Sequence, residues 1–207
     1  MKRRRSASAA AQHTSSVPDI QPALDLAVQH YNAGRLREAG SVYRQILQAN
    51  PNQPMALHML GVIAHHAGKN DIAVDLIMKA LALKPDFASA YNSLGNALKG
   101  LRRLDEAVDQ YRKALDISPD FILAHINLGS ALRALGRAEE AIAHYRSAIN
   151  IKPDFAEAHY NLGNALTELG RLDEAVNHYH KALASKSKFT EAHYNMGNSL
   201  RVRPGSL

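Results

Sequence analysis

Asparagine side chains recur at a 34-residue interval in the second half of the chain, and their chemistry suits the binding of peptide groups. A carboxamide both donates and accepts hydrogen bonds, so a regular row can hold successive peptide groups of an extended polypeptide. One row is Asn127, Asn161 and Asn195, and a second row, three residues further along, contains Asn96, Asn164 and Asn198, with Ser130 in the same series. The predicted neighbours in this groove are Tyr160, Tyr194, Arg133 and Lys99.

A simpler explanation exists for each asparagine taken singly, since such a residue can merely solvate a helix face and bond to local backbone. Recurrence in three copies favours the shared role. Earlier copies have Asp25, Met59 and Ser93 at the position of the first row. The groove is therefore predicted in the C-terminal half of the chain.

Histidine is the other side chain that could do chemistry, because the chain contains 11 histidines and no cysteine. His125, His159 and His193 recur once per copy at a place suited to a large core side chain, so core packing explains them before metal binding does. The lack of cysteine excludes disulfides, cysteine nucleophiles and thiolate metal sites. We therefore predict no catalytic residue, no cofactor and no metal site.

These side chains belong to a 34-residue phrase that recurs without a gap. Two clear copies begin ILAHINLGSALRALG at Ile122 and AEAHYNLGNALTELG at Ala156. Recurrence at this period is typical of a solenoid, and apolar residues at three- and four-residue spacing predict two amphipathic helices per copy. The predicted copies are 20–53, 54–87, 88–121, 122–155 and 156–189, followed at 190–201 by the first helix of an incomplete sixth copy.

Local signals specify where the helices turn and stop. Gly170 lies between the two predicted helices of its copy, where a positive φ is useful. Asp173 is expected to cap the helix that follows. Proline ends most copies because it lacks the amide proton that a continuing helix needs, and the aspartates after it are expected to cap the next helix: Asp86, Asp120 and Asp154.

Small and aromatic residues fall at fixed offsets in each copy. In the fourth copy these are Gly129 after a leucine, then Ala141, Tyr145 and Pro153. This pattern resembles the tetratricopeptide repeat. The resemblance implies an all-α, right-handed superhelical solenoid of antiparallel helix pairs, with the first helix of each pair on the concave side. The asparagine rows would then face a concave groove.

A finer likeness follows from the asparagine row together with phrases such as KPDFAEAHYNLGNAL and FTEAHYNMGNSL. Over about residues 54–200 the chain is similar to the superhelical repeat region of O-linked N-acetylglucosamine transferases. Glycosyl transfer would require a separate nucleotide-sugar domain, which these residues do not contain, so the chain is expected to be non-catalytic. The lysine that a chaperone-tail clamp places beside its first asparagine is missing, which argues against chaperone docking.

The termini differ from the repeats in composition. Residues 1–19 are a basic, Ser/Ala-rich stretch predicted to be a flexible tail, and residues 202–207 form a second tail. Lys2, Arg3, Arg4 and Arg5 account for four of the six formal net charges, which argues against nucleic-acid binding by the solenoid. No apolar run approaches the roughly 20 residues of a membrane span. A cytoplasmic location is the default expectation.

Two functions remain open on this sequence. The first is a protein-interaction scaffold that binds an extended polypeptide in the concave groove, and the alternative is the non-catalytic repeat portion of a glycosyltransferase-like protein. In the incomplete sixth copy, Met196 and Leu200 are expected to face inward while the other side of the helix lacks its cover. Self-association through this end is therefore predicted.

Overall fold

The computed structural model describes residues 20–202 and contains eleven α-helices there, with no strand among those residues. The predicted all-α solenoid of helix pairs is confirmed. The helices are α1 Gln21–Asn32, α2 Leu36–Ala49, α3 Pro54–His66, α4 Asn70–Leu83, α5 Ala88–Gly100, α6 Leu104–Ile117, α7 Ile122–Ala134, α8 Ala138–Ile151, α9 Ala156–Glu168, α10 Leu172–Ser185 and α11 Thr190–Val202. The tail predicted at residues 1–19 lies outside the described residues, as does the last part of the C-terminal tail.

Consecutive helices pack against each other along the whole array, so every repeat contacts its neighbours. First helices also contact the first helices of the adjacent repeats, in the order α3, α5, α7, α9 and α11. The second helices of neighbouring repeats are further apart. The odd-numbered helices therefore line the inner, concave side of the solenoid, and the even-numbered helices form the outer layer.

The turn within each repeat requires a left-handed residue. Gly34, Gly68, Gly136 and Gly170 have φ values of 72–76°, which glycine adopts without a Cβ penalty. The third repeat has Arg102 at this position, with φ at 64°. The turn geometry is thus kept although an L side chain is strained there.

The predicted aspartate caps are wrong. The residues that precede the first helices are Phe87, Phe121 and Phe155, without a side-chain cap hydrogen bond, and Asp173 lies inside α10, whose N-cap is Arg171. The second helices of the third, fourth and fifth repeats each begin with an arginine that binds a glutamate three residues later through two hydrogen bonds. These pairs are Arg103–Glu106, Arg137–Glu140 and Arg171–Glu174, at 2.6–2.8 Å.

Small residues permit close contact between the two helices of a repeat. A Cβ built on Gly129 would lie 2.6 Å from Cε1 of Tyr145, and Gly95 and Gly163 face tyrosine rings in the same way. Tyr145 is fully buried. The contact therefore leaves no room for a larger side chain.

The first repeat divides its core volume differently from the others. Gly40 occupies the position that Val108 has in the third repeat, and the side chain of Ile63, on the first helix of the next repeat, fills the space in front of it. In the third repeat the branched residue is Val108 itself, and the residue equivalent to Ile63 on the next first helix is the small Ala131. Large and small residues have been exchanged between neighbouring helices. The same helix geometry is compatible with both arrangements.

The helix α11 lacks a following partner helix among the described residues. A Cβ on Gly197 would meet no atom within 4 Å, unlike its equivalents in the closed repeats. Met196 is partly buried against the core. Leu200 is 38% exposed, so the expectation that it faces inward is wrong, because no following helix covers it within residues 20–202.

Across residues 20–202, each helix is too short or too polar to cross a membrane.

Candidate functional site

The first asparagine row forms hydrogen bonds between neighbouring repeats on the inner surface. Asn127 Nδ2 donates to Asn92 Oδ1 at 2.9 Å, and Asn195 Nδ2 donates to the Tyr160 hydroxyl at 3.2 Å. Each bond reaches a polar residue 35 positions earlier in the sequence, which is one repeat plus one residue. Two members of the row therefore spend part of their hydrogen-bonding capacity on the solenoid itself.

Asn161 cannot make the equivalent bond, because the residue 35 positions before it is Ile126, which is buried and apolar. Within residues 20–202 the Asn161 side chain has no hydrogen-bond partner, although it is only half-buried. Its carbonyl and both of its N–H groups are free. In the first row, Asn161 thus offers a ligand the complete carboxamide, while Asn127 keeps one N–H and its carbonyl.

The second asparagine row is held by the core. Tyr111 donates its hydroxyl hydrogen to Asn96 Oδ1 at 2.8 Å, and Tyr179 does the same to Asn164 Oδ1 at 2.9 Å. Buried hydroxyls require such partners. These two asparagines therefore have a structural task, and their N–H groups are oriented by it.

A pocket of about 500 Å³ opens on the inner surface between α9, α10 and α11. Four predicted site residues line it, namely Arg133, Asn164, Asn195 and Asn198. A hydroxyl cluster completes its wall: Thr167 Oγ1 lies 3.1 Å from the Tyr179 hydroxyl and 3.3 Å from Ser199 Oγ. The pocket is rich in neutral donors and acceptors.

Charged residues on the inner surface are balanced in sign. Arg133 Nη1 pairs with Glu168 of the next repeat. Burial lowers the pKa of Lys99, an effect that Glu157 opposes and that Arg133 reinforces. Two cations and two carboxylates therefore lie near one another in the groove.

The remaining predicted residues are more scattered. Tyr160 and Asn161 line a second pocket of about 490 Å³, which also includes Glu157 and Lys186. Tyr194 is 69% exposed on the last helix. The structure thus brings most predicted residues to the inner surface without uniting them in one cavity.

The recurring histidines form pairs that the sequence did not suggest. His125 Nδ1 lies 3.2 Å from His144 Nδ1, and His159 Nδ1 lies 3.0 Å from His178 Nδ1. Because Nε2 of His125 faces the Pro119 carbonyl at 3.0 Å, it must donate, and Nδ1 accepts from its partner ring.

Burial agrees with a core role for His125 and His159, whereas His193 is exposed because no second helix covers it within residues 20–202. Across the same residues, no three potential metal-ligating side chains converge.

Several residues of the inner surface were missed by sequence reasoning. These are Thr167, Glu168, Tyr179 and Ser199. A signal for Tyr179 was present, because Asn96–Tyr111 and Asn164–Tyr179 share a 15-residue spacing. The spacing of one repeat plus one residue would have indicated the pairing of Arg133 with Glu168.

Tetratricopeptide repeat models match the chain over residues 24–85, 88–121, 129–170 and 163–200. Together these matches include most of the described residues. The chain therefore belongs to the tetratricopeptide repeat family. No curated protein sequence matches it significantly.

Solved structures of other tetratricopeptide repeat proteins are similar. TTC0263 of Thermus thermophilus has a TM-score of 0.73 at 26% identity, over 88% of this chain and 99% of its own. MamA has a TM-score of 0.69 at 29% identity, over 81% and 98%. YrrB, described as having an unusual peptide-binding site, has a TM-score of 0.67 at 20% identity, over 85% and 91%, and shares the fold.

Proposed function

We propose that this chain is a non-catalytic interaction scaffold that binds an extended polypeptide on the concave surface of its C-terminal repeats. The observation that carries the proposal is the free carboxamide of Asn161, placed between Asn127 and Asn195 on the inner surface. A carboxamide can accept from a peptide N–H and donate to a peptide carbonyl. Such a surface binds main chain with little regard to side chains.

Further support comes from the fold and from the neighbouring pocket. Tetratricopeptide solenoids present extended concave surfaces, and the pocket beside this row is lined by asparagines, hydroxyls and the paired charges of Arg133 and Glu168. Family membership supports the coarse role of an interaction scaffold. The likeness to the repeat region of a glycosyltransferase stays a prediction, as does a cytoplasmic location.

Asn161→Ala is the cleanest test, because this side chain makes no bond that the fold needs. Peptides selected from a random display library on the full chain serve as probes. Loss of one or two hydrogen bonds should weaken peptide binding roughly three- to tenfold, with circular dichroism and melting temperature unchanged. Asn177→Ala, an exposed asparagine of α10, is the matched control and should bind as wild type.

The triple variant Asn127→Ala/Asn161→Ala/Asn195→Ala should lose binding further but also lose some stability. If the single and triple variants both bind peptide like wild type, the concave-groove proposal is wrong. Failure to select any peptide would also count against it.

We further propose self-association through the uncovered face of α11. Leu200 and Tyr194 are exposed there, and an uncovered repeat end exposes surface that a terminal cap would protect. Light scattering over a range of concentrations should detect dimers. A monomer at every concentration would contradict this part of the proposal.

A further inference from the structure

The carboxamide of Asn161, which has no hydrogen-bond partner within residues 20–202, lies at a pocket that also contains three aromatic side chains. This aromatic pocket has a volume of about 490 Å³, and its rings belong to Phe155, Tyr160 and Phe189. A peptide group bound by Asn161 would bring its neighbouring side chains to this pocket. The pocket can therefore select among those side chains.

The three aromatic side chains are held in place by the solenoid. Phe155 and Phe189 directly precede α9 and α11, and their carbonyl groups accept hydrogen bonds from the first turns of those helices. The centroid of the Tyr160 ring lies 4.7 Å from that of the Phe189 ring, and the Tyr160 hydroxyl accepts a hydrogen bond from Asn195. All three are partly buried. A ligand that enters the pocket therefore has little protein structure to order.

The fifth repeat has small residues at two pocket positions where the fourth repeat has isoleucine. Ala156 and Ser185 line the aromatic pocket. The residues 34 positions earlier are Ile122 and Ile151. Both exchanges shorten the side chain and leave space beside the rings. The aromatic pocket is thus a feature of the sequence of the fifth repeat.

We propose that this pocket binds an aromatic side chain of the polypeptide whose main chain is held by Asn161. An incoming ring can pack edge-to-face or offset against the pocket rings, and such ring pairs add affinity beyond the burial of apolar area. Ligand pockets typically combine apolar and aromatic walls with a few polar groups that fix orientation, and Asn161 supplies one such group. This inference rests on the proposed function and adds a side-chain preference to it.

The charges at the aromatic pocket favour an uncharged side chain. Lys186 and Glu157 both line it, so one charge of each sign is present. Lys186 Nζ lies 4.6 Å from the centroid of the Phe189 ring, which gives this cation a favourable partner. A carboxylate in the pocket would be repelled by Glu157, and an ammonium group would be repelled by Lys186. A neutral ring avoids both costs.

The test fills the aromatic pocket with the residues of the fourth repeat. The double variant Ala156→Ile/Ser185→Ile keeps Asn161 and all three rings, and the preceding repeat has isoleucine at both of these helix positions. This filled variant should bind the display-selected peptide about tenfold more weakly than wild type, with circular dichroism unchanged. Ala143→Ile, at an exposed alanine of α8, is the matched control and should bind as wild type.

Changes in the peptide complete the test. The selected peptides should share an aromatic residue, and its replacement by alanine should weaken binding to the wild-type chain about tenfold. Replacement by leucine should have an intermediate effect. The filled variant should bind the alanine peptide as the wild-type chain does, because both changes remove the same contact.

The outcomes separate the aromatic pocket from the groove. If the filled variant binds the selected peptide like wild type while Asn161→Ala binds it weakly, the pocket is refuted and the groove stands. The pocket is also refuted if the filled variant weakens binding of the alanine peptide equally, or if leucine binds as well as the aromatic residue. If neither the filled variant nor Asn161→Ala weakens binding, the groove itself is refuted.

Discussion

The first two repeats and the following three share one backbone plan but differ in their core packing and on their inner surface. Core volume is divided between Gly40 and Ile63 at the N-terminal end, and between Val108 and Ala131 further along. At the position of the first asparagine row, Asp25 and Met59 are replaced by Ser93 and then by asparagine. The comparison teaches that helix-pair geometry constrains total volume, while the chemistry of the concave face is free to vary.

Tyrosine makes the comparison sharper. Tyr43 in the first repeat is buried with an unpartnered hydroxyl, whereas Tyr111 in the third repeat is bound to Asn96. The ring is needed for packing in both places. The asparagine is therefore an addition to the scaffold, and it appears only where the groove is polar.

The largest expected effect is on close packing. Gly129→Leu should destabilise the fold by about 3 kcal/mol, the upper part of the range for overpacking, because its Cβ alone would lie 2.6 Å from the Tyr145 ring. Chemical denaturation measures the loss. Gly197→Leu is the control and should cost nothing, since that position faces open space; equal losses at both positions would contradict the contact.

The second largest expected effect is a loss of stability on acidification, through His58 in the second repeat. Burial lowers the pKa of His58 from the usual 6.5 to about 4, so the folded state holds this ring neutral while the unfolded chain takes up a proton. Stability from this group is complete above pH 6.5 and is lost as the pH falls toward 4.

The loss between pH 7 and pH 5 should be roughly 2 kcal/mol, at about 1.4 kcal/mol per pH unit. His58→Leu should flatten the pH dependence of the melting temperature in this interval. Burial and the nearby His159 also lower the pKa of His178 to about 4, but this half-exposed ring should contribute less. An unchanged pH profile in His58→Leu would remove His58 from this role.

The tyrosine–asparagine pair can be tested by transfer between the two regions. Asn96→Ser should cost about 1–2 kcal/mol, because it leaves the buried Tyr111 hydroxyl without an acceptor. Val28→Asn should give Tyr43 the acceptor it lacks and stabilise the first repeat by about 1 kcal/mol. Thermal denaturation of both variants decides the matter, and a neutral Asn96→Ser would show that the pair carries little energy.

The smallest effect concerns the turn of the third repeat. Arg102 has a φ of 64° where the other repeats have glycine, so Arg102→Gly should stabilise the chain by roughly 0.5–1 kcal/mol, the relief of strain exceeding the entropy cost of glycine. Gly136→Ala imposes the strain on the fourth repeat and should destabilise it by a similar amount. Opposite signs in the melting temperatures of the two variants are the expected result.

The fold could be predicted because its signals are repeated and local. Gly129, Tyr145 and Pro153 recur at fixed offsets, and the turn predicted at Gly170 has the expected positive φ. The caps of the first helices were mispredicted because aspartate after proline is a common cap, whereas here Phe87, Phe121 and Phe155 occupy the cap position.

The site was only partly accessible to sequence reasoning. Asn161 and Asn127 have the same residue type and position, yet one is free and one is bonded to Asn92. That difference depends on Ile126, a residue of another repeat, and becomes visible only when the offset between neighbouring inner helices is known. The same offset pairs Arg133 with Glu168.

Side chains on the inner surface connect residues 35 apart in a chain whose repeat is 34, as in His58–Ser93 and Asn127–Asn92. Such links cross obliquely from the first helix of one repeat to the first helix of the next, and they resist sliding of neighbouring repeats past each other. Between the fourth and fifth repeats, Ile126 supplies no such bond to Asn161, and the Arg133–Glu168 pair is the 35-residue link instead. A polypeptide bound to Asn161 would add a second connection across that joint.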